Sequence, residues 1–322
     1  MTSPVAVPTE PHRPREPRPG ATCPGRVLAI MNPKAGGAVT ASIRAALAGC
    51  FREGESALEV HETGPDEDLK AVVHDRLAKG VDLIVVAGGD GTVSAVADAM
   101  VGSDVPLGIL PMGTANVLAR ELGIPTDLAA AANLLGSGHE IATIDAMKVG
   151  DRHYLTQVGV GLDALMIRDT TTDLKRRFGK AAYIWVGLTR LFGYQPRRFT
   201  LEIDGKSRST RAGQVLVANV GTLGQPPFRW GPDIAVDDGH LDLCVSKART
   251  LYHYAKLAWH FARHQHKADP NVKYARVRKS VTIATRKPIP VQADGEVIGD
   301  TPVTVEVVPA ALRIVVPPPV AN

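Results

Sequence analysis

The sequence predicts an α/β chain in two parts. A doubly wound, mostly parallel sheet spans residues 26–140, and a mostly antiparallel β-sandwich spans 141–317. Three observations predict this. Apolar runs rich in β-branched residues alternate with helical spacing from Arg26 to about Glu140, as β-α units do. Those runs are nearly continuous in apolar residues, which suits strands covered on both faces. Beyond Glu140 the rhythm becomes alternating runs separated by turn residues, the pattern of antiparallel strands.

The elements follow in order. RVLAIMNP is a strand closed by Pro and Gly, and Val39 to Phe51 has helical spacing. ALEVHETG is a second strand. DEDLKAVVHDRLAKG is a helix with its acids first and a lysine last, as the helix dipole favours. VDLIVVAGG, TVSAVADAMVG, VPLGILPMG and ANVLARELG continue the strand–helix alternation, and LAAAANLLG is a short closing helix. In the second part, IDAMKVGDRHYLTQVGV, RRFTLEIDGKSRSTRAGQVLVANVG, GHLDLCVSKA, KSVTIATRKPIPVQADGEVIG and TPVTVEVVPAALRIVVP read as strands. Helical pieces at Leu174 to Phe192 and Leu251 to His266 interrupt them.

Composition narrows the class. The chain has 322 residues, 44% hydrophobic and 22% charged, enough for two cores of ordinary soluble type. The net charge of +4 is small, so any basic function is local. Cys23, Cys50 and Cys244 form no metal-ligand or disulfide pattern, and reduced thiols fit a cytoplasmic protein. Residues 1–25 are rich in Pro and Arg without an apolar core, so they read as a disordered tail; 318–322 are a second tail. No apolar run is long enough to cross a bilayer, so any membrane contact is expected to be peripheral.

The chemistry concentrates in four loops at strand ends: NPKAGG (Asn32 to Gly37), HETG (His61 to Gly64), GGDGT (Gly88 to Thr92) and PMGTAN (Pro111 to Asn116). Ligands of open α/β sheets bind outside the carboxyl ends of the strands, so these loops are expected to converge. Their glycines let backbone N–H groups approach phosphate, and helix N-termini favour its charge. A single Asp-Gly is also an ordinary turn; the ordered set of four is the stronger signal.

NPxAGG, GGDGT and PxGTxN in this order resemble the diacylglycerol kinase catalytic-domain family, which includes bacterial soluble lipid kinases and is related to sphingosine and ceramide kinases. FGKAAYIWVGLTRLF, GPDIAVDDGHLDLCV and VQADGEVIGDTP extend the resemblance from Arg26 to Pro317. NAD kinases and phosphofructokinases share loops like GGDGT, so the second half and PMGTANVLAREL decide. The resemblance implies an ATP- and Mg2+-dependent lipid kinase whose acceptor is diacylglycerol, giving phosphatidic acid. A sphingoid-base or ceramide kinase is the alternative, then an NAD kinase, or a catalytically silent nucleotide- or lipid-binding regulator.

The resemblance assigns ATP contacts to Asn32, Pro33, Lys34, Ala35, Gly36, Thr63, Gly88, Gly89, Asp90, Gly91, Thr92, Val93, Ser94, Ala95, Gly113, Thr114 and Asn116. It makes Asp294 the general base and Asp90 a catalytic organiser. Asp90 and Asp145 would organise the metal at the phosphates. Ala235, Asp238 and His240 would hold a second, structural metal. Asp294-Gly295 also reads as a hairpin turn, and a rigid turn can aim a carboxylate. One departure is Val117, where bacterial members often carry Asp.

Lys247 to Lys279 holds nine Lys/Arg and one acid, Asp269. His253, Lys256, His260, Arg263, His264 and Lys267 repeat at helical spacing. Leu251, Tyr254, Ala255, Ala258, Trp259 and Ala262 are expected on another face. The two readings are a solvated face and docking on anionic lipid, where the lipid substrate would be met. No nucleic-acid motif is present. Tyr183, Ile184, Trp185, Val186, Leu188 and Leu191 read as acyl-chain entrance or core. Monomer and homodimer are both compatible with the sequence.

Overall fold

A computed structural model of the chain describes residues 24–32, 37–51, 57–64, 67–136, 138–169, 195–223, 228–231, 233–248, 251–263, 269 and 271–319. The expected contacts at Pro33, Lys34, Ala35 and Gly36, the helix at Leu174 to Phe192, and His264 and Lys267 lie outside them.

Strands β1 (Arg26–Met31), β2 (Ala57–Glu62), β3 (Leu83–Gly88) and β4 (Leu107–Pro111) alternate with α1 (Gly37–Cys50), α2 (Leu69–Ala78), α3 (Asp90–Met100) and α4 (Val117–Glu121); α5 (Leu128–Gly136) follows. The strands pair in parallel in the order β2-β1-β3-β4. Every residue of β3 and β4 is buried, as their continuous apolar character requires. Asp68 starts α2 by accepting the N–H groups of Lys70 and Ala71.

The second part contains β5 (Glu140–Val149), β6 (Arg152–Tyr154), β7 (Gln157–Gly161), α6 (Leu162–Asp169), β8 (Arg197–Ile203), β9 (Lys206–Ala212), β10 (Gln214–Ala218), β11 (Leu241–Ser246), α7 (Leu251–Ala262), β12 (Val272–Val277), β13 (Ser280–Thr285), β14 (Pro290–Ala293), β15 (Glu296–Asp300) and β16 (Val303–Val316). One sheet runs β12-β11-β10-β7-β14-β15. Its inner face packs Val158, Val160, Val215, Val217 and Leu243 against Phe199, Leu201, Val281, Ile283 and Val305 of the opposing strands. That is the antiparallel sandwich, built by strands with alternate residues buried. Strand β12 has no counterpart in the sequence reading. It carries Lys273 and Arg276 on a sheet edge, where charge is tolerated and the apolar signal is weak.

Strand β16 joins the two parts. It pairs antiparallel with β13 and β5, shifts register between Val308 and Leu312, and then lies parallel beside β4 through Ile314 and Leu107. Ala310 takes a left-handed φ of 51° within that shift. A single ten-stranded sheet therefore contains the parallel strands and one layer of the sandwich.

Ile314 is fully buried at this junction. Ile314→Ala should cost about 2–5 kcal/mol. The loss should appear in one urea transition reported alike by probes in both parts; two separated transitions would show that β16 does not couple them.

Candidate active site

The carboxyl ends of the parallel strands are held level by backbone bonds. Asn32 N–H donates to Ala87 O at 3.3 Å, Thr63 N–H to Met31 O at 2.9 Å and Met112 N–H to Gly88 O at 2.9 Å. Two loops then touch backbone to backbone. A Cβ on Gly113 would sit 2.6 Å from Gly89 Cα, and one on Gly88 would sit 2.7 Å from Thr92 Cβ. These glycines are therefore required by packing, whatever binds above them. Val93, Ser94 and Asn116 are buried below the rim, while Gly64, Gly91 and Thr114 are exposed and Thr63, Thr92 and Ala95 half-buried.

Asn116 closes the PMGTAN loop. Its φ of 49° is left-handed, a conformation Asn tolerates, and its amide exchanges two hydrogen bonds with Gly113. Asp90 then braces the loop. Its carboxylate accepts Asn116 N–H at 2.9 Å and Val117 N–H at 2.6 Å, capping α4 from a neighbouring loop. Burial raises its carboxyl above the usual range, these N–H groups oppose the rise, and the Asp294 charge adds to it. At position 117 the backbone, rather than the side chain, meets Asp90.

Asp294 lies in a tight turn between β14 and β15 with Gly295, both at positive φ (45° and 89°), the two-residue turn that Asp-Gly favours. Its carboxylate accepts five hydrogen bonds. Oδ1 takes Thr156 N–H (2.9 Å), Thr156 Oγ1–H (2.6 Å) and Gln157 N–H (3.1 Å). Oδ2 takes Leu155 N–H (2.9 Å) and Ser94 Oγ–H (2.8 Å). A second Asp-Gly turn calibrates this. Asp204, with φ of 49°, also accepts backbone N–H groups, from Arg278, Lys279 and Ser280. Backbone capture is thus a property of the turn. What sets Asp294 apart is the two hydroxyls, one of them from the helix that follows GGDGT.

Three residues outside the sequence reading support this carboxylate. Asn219, fully buried, donates to Asp145 O at 2.9 Å and to Leu155 O at 2.8 Å, fixing the segment whose N–H groups point at Asp294. The signal was a lone polar residue in the apolar run VLVANVG. Gln292 accepts Gly295 N–H at 3.1 Å and donates to Asp163 Oδ2 at 3.0 Å. Asp163 is buried against Gly159, where any Cβ would overlap its carboxylate. Burial pushes its carboxyl up to about 6. Glu296 is exposed, and its Oε1 would be 3.8 Å from a Cβ on Gly91, so it faces the rim of the GGDGT loop.

Asp145 is held by a different set of bonds from Asp90. Buried on β5, Asp145 accepts Gly239 N–H at 2.7 Å and Ala310 N–H at 2.8 Å, and its N–H donates to Val236 O at 2.7 Å. It therefore belongs with the 235–240 segment and the β16 register shift. There Asp238 Oδ1 accepts His240 N–H at 3.3 Å and lies 3.1 Å from His240 Nδ1. Burial raises the Asp238 carboxyl, His240 opposes the rise and the Asp145 charge adds to it. Ala235 is half-buried in the same segment. Among the described residues, no group of three or more His, Cys, Asp or Glu side chains is arranged to hold a metal ion.

A second contact ties the helix after the PMGTAN loop to the sandwich. Glu121, ending α4, accepts Thr222 N–H at 2.9 Å and the Thr222 hydroxyl, and pairs with Arg229 at 2.8 Å.

Asp163 supplies a pH test. Its folded-state value of about 6 exceeds the ordinary 3.8, so the folded chain holds a proton that the unfolded chain releases in this window. Stability from this group is lost as pH rises from 3.8 to about 6. Urea unfolding should show this fall in the wild type relative to Asp163→Asn. Parallel pH profiles would contradict it.

Comparison with known proteins places the chain. Residues 26–149 match the diacylglycerol kinase catalytic domain, and residues 156–316 match the YegS C-terminal NAD kinase beta sandwich-like domain. The chain is 29% identical over 305 residues to a diacylglycerol kinase of Mycobacterium tuberculosis, covering 91% of this chain and 96% of that one. It is 33% identical over 236 residues to a Pseudomonas aeruginosa protein named "Probable lipid kinase YegS-like", covering 68% and 72%. An uncharacterized Synechocystis protein is 31% identical over 242 residues, which is 74% of this chain but only 56% of that protein. A crystal structure of a diacylglycerol kinase from Bacillus anthracis superposes with a TM-score of 0.73 at 27% identity, covering 92% of this chain and 99% of that one. With both halves matched in order, the chain belongs to the diacylglycerol kinase catalytic-domain family, in the branch that carries the YegS-type C-terminal sandwich.

Proposed function

We infer that the chain transfers the γ-phosphate of ATP to a lipid hydroxyl, with diacylglycerol as acceptor and phosphatidic acid as product. The observation that carries this is the bond from Ser94, on the helix after GGDGT, to Asp294 in the sandwich hairpin. It brings a carboxylate to the edge of a phosphate-type loop. The names of the Mycobacterium tuberculosis relative and of the Bacillus anthracis structure favour diacylglycerol as acceptor.

In the reaction, the lipid oxygen bonds to the γ-phosphorus as the bond from that phosphorus to the β–γ bridging oxygen breaks. The hydroxyl proton passes to Asp294. Both Asp294 oxygens are occupied, so an acceptor hydroxyl must displace one donor. The backbone N–H groups are fixed; the Ser94 and Thr156 hydroxyls can rotate, and one of them yields. Exposed Gly91 and Thr114, with Thr63 and Thr92, offer N–H and hydroxyl donors for the ATP phosphates. Mg2+ would screen phosphate charge. An ion arriving on the nucleotide would meet hard oxygens at Asp90, each of whose carboxylate oxygens accepts one N–H and keeps a lone pair, and at the exposed Glu296 carboxylate on the rim of the same loop. The Val117 N–H donates to Asp90 whatever side chain stands at 117, so the loop keeps its brace without the carboxylate, and turnover decides between a kinase and a silent regulator.

Incubation with radiolabelled ATP and a panel of lipid alcohols tests the reading. Label should enter diacylglycerol and fall about 10²–10⁴-fold in Asp294→Asn. Label confined to a sphingoid base would transfer the reading to that acceptor, and label only in NAD would sink it.

The proposed second ion at Ala235, Asp238 and His240 rests on the family resemblance and on one geometric fact: the Asp145 and Asp238 carboxylates accept the N–H groups of adjacent residues, Gly239 and His240, so two carboxylates share this segment. Mg2+ should raise the melting temperature of the wild type, but not of Asp238→Asn. An equal rise in both would remove this site.

A further inference from the structure

Among the described side chains of α7, the two largest lie in solvent. Tyr252 is 71% exposed and Trp259 is 59% exposed, whereas Leu257 is buried. At 3.6 residues per turn, Tyr252, Lys256, Trp259 and Arg263 fall within an arc of about 60°. The exposed stripe is therefore aromatic and cationic together. This differs from the sequence reading, which placed Trp259 on the apolar face away from Lys256 and Arg263. Arg263 stacks its guanidinium 4.6 Å from the Trp259 ring centroid, so the cation and the ring present one surface. No Asp or Glu occurs from Lys247 to Ala268 to neutralise it.

We propose that this stripe docks in the plane of an anionic bilayer, with Trp259 and Tyr252 seated at the headgroup level and Lys256 and Arg263 on lipid phosphates. Trp and Tyr are the side chains that stable interfaces place at that depth, and cations beside them select anionic lipid. The two rings are seven residues apart, about 10 Å along the axis, so the helix lies flat rather than inserting by one end. A partner protein would need matching acids and an aromatic slot; an anionic headgroup layer supplies both contacts without a fitted shape.

The position of α7 says what the contact does. It connects β11 to β12 at the end of the sheet marked by Ser246 and Val272. The Asp294 turn lies at the opposite end, beside Gln157, Ala218 and Asp242. Strands of five and six residues put about 15 Å between the two ends. The helix thus tethers the protein to the surface and takes no part in the transfer step. Its purpose rests on the lipid-kinase reading; the contact itself does not.

The test is sedimentation of the full chain with phosphatidylcholine vesicles containing phosphatidylglycerol, against pure phosphatidylcholine. Turnover is followed in parallel on a short-chain, monomeric diacylglycerol. The wild type should sediment only with the anionic vesicles. Trp259→Ala and the pair Lys256→Glu with Arg263→Glu should each weaken this about tenfold or more. Turnover on the monomeric acceptor should stay unchanged. Sedimentation equal to wild type in both variants overturns the proposal. So does a Trp259→Ala chain that changes oligomeric state while still binding vesicles, which would make the stripe an interface between copies. Anionic binding that follows the prediction in a chain that labels no lipid leaves the docking standing and removes the kinase reading.

Discussion

The carboxylate of Asp294 ties the helix after GGDGT to the sandwich, across parts that β16 already joins in one sheet. It gathers a hydroxyl from Ser94 on α3 and three consecutive N–H groups from Leu155 to Gln157, with the Thr156 hydroxyl as a fifth donor. Hydrogen bonds to a charged acceptor are roughly twice as strong as neutral ones, and this site is partly desolvated. The surrounding residues serve to keep those donors aimed. The left-handed turn presents the carboxylate, Asn219 fixes the donor segment, and Gln292 ties the turn to buried Asp163.

The same economy appears in the loops. Asp90 and Asn116 use their polar atoms to shape the PMGTAN loop, and Gly88 and Gly113 are small because neighbours leave no room. Rigid loops leave few exposed groups at the rim, and those few are where an incoming phosphate would be met. Glu121 with Arg229 and Thr222 adds a second bond between the parts, on the far end of the helix that Asp90 caps. A loop braced at both ends orients ligand groups better than a free one.

Local chemistry made much of this legible. Continuous apolar runs gave the parallel strands, and the glycine loops fell at their carboxyl ends. Asp294 was readable as a turn. Long-range pairing was not readable. Nothing local in TPVTVEVVPAALRIVVP says that its end lies beside Leu107, and only that pairing makes the two parts share a sheet. The hydrogen-bond partners of Asp145 were not readable, because they are brought to it by the 235–240 segment and by the turn of β16 at Ala310. Strand β12 was hidden by its edge charges. Trp259 was assigned to the packed face because side-chain spacing alone does not say which face of a short helix is covered.

The central claim is that the Asp294 carboxylate, through Ser94, couples the glycine-loop helix to the sandwich. A double-mutant cycle of Ser94→Ala and Asp294→Ala on unfolding free energy measures it most directly. Coupling of about 1 kcal/mol or more is expected for a partly buried, charge-assisted bond. Strictly additive losses, with no coupling between the two positions, would contradict it.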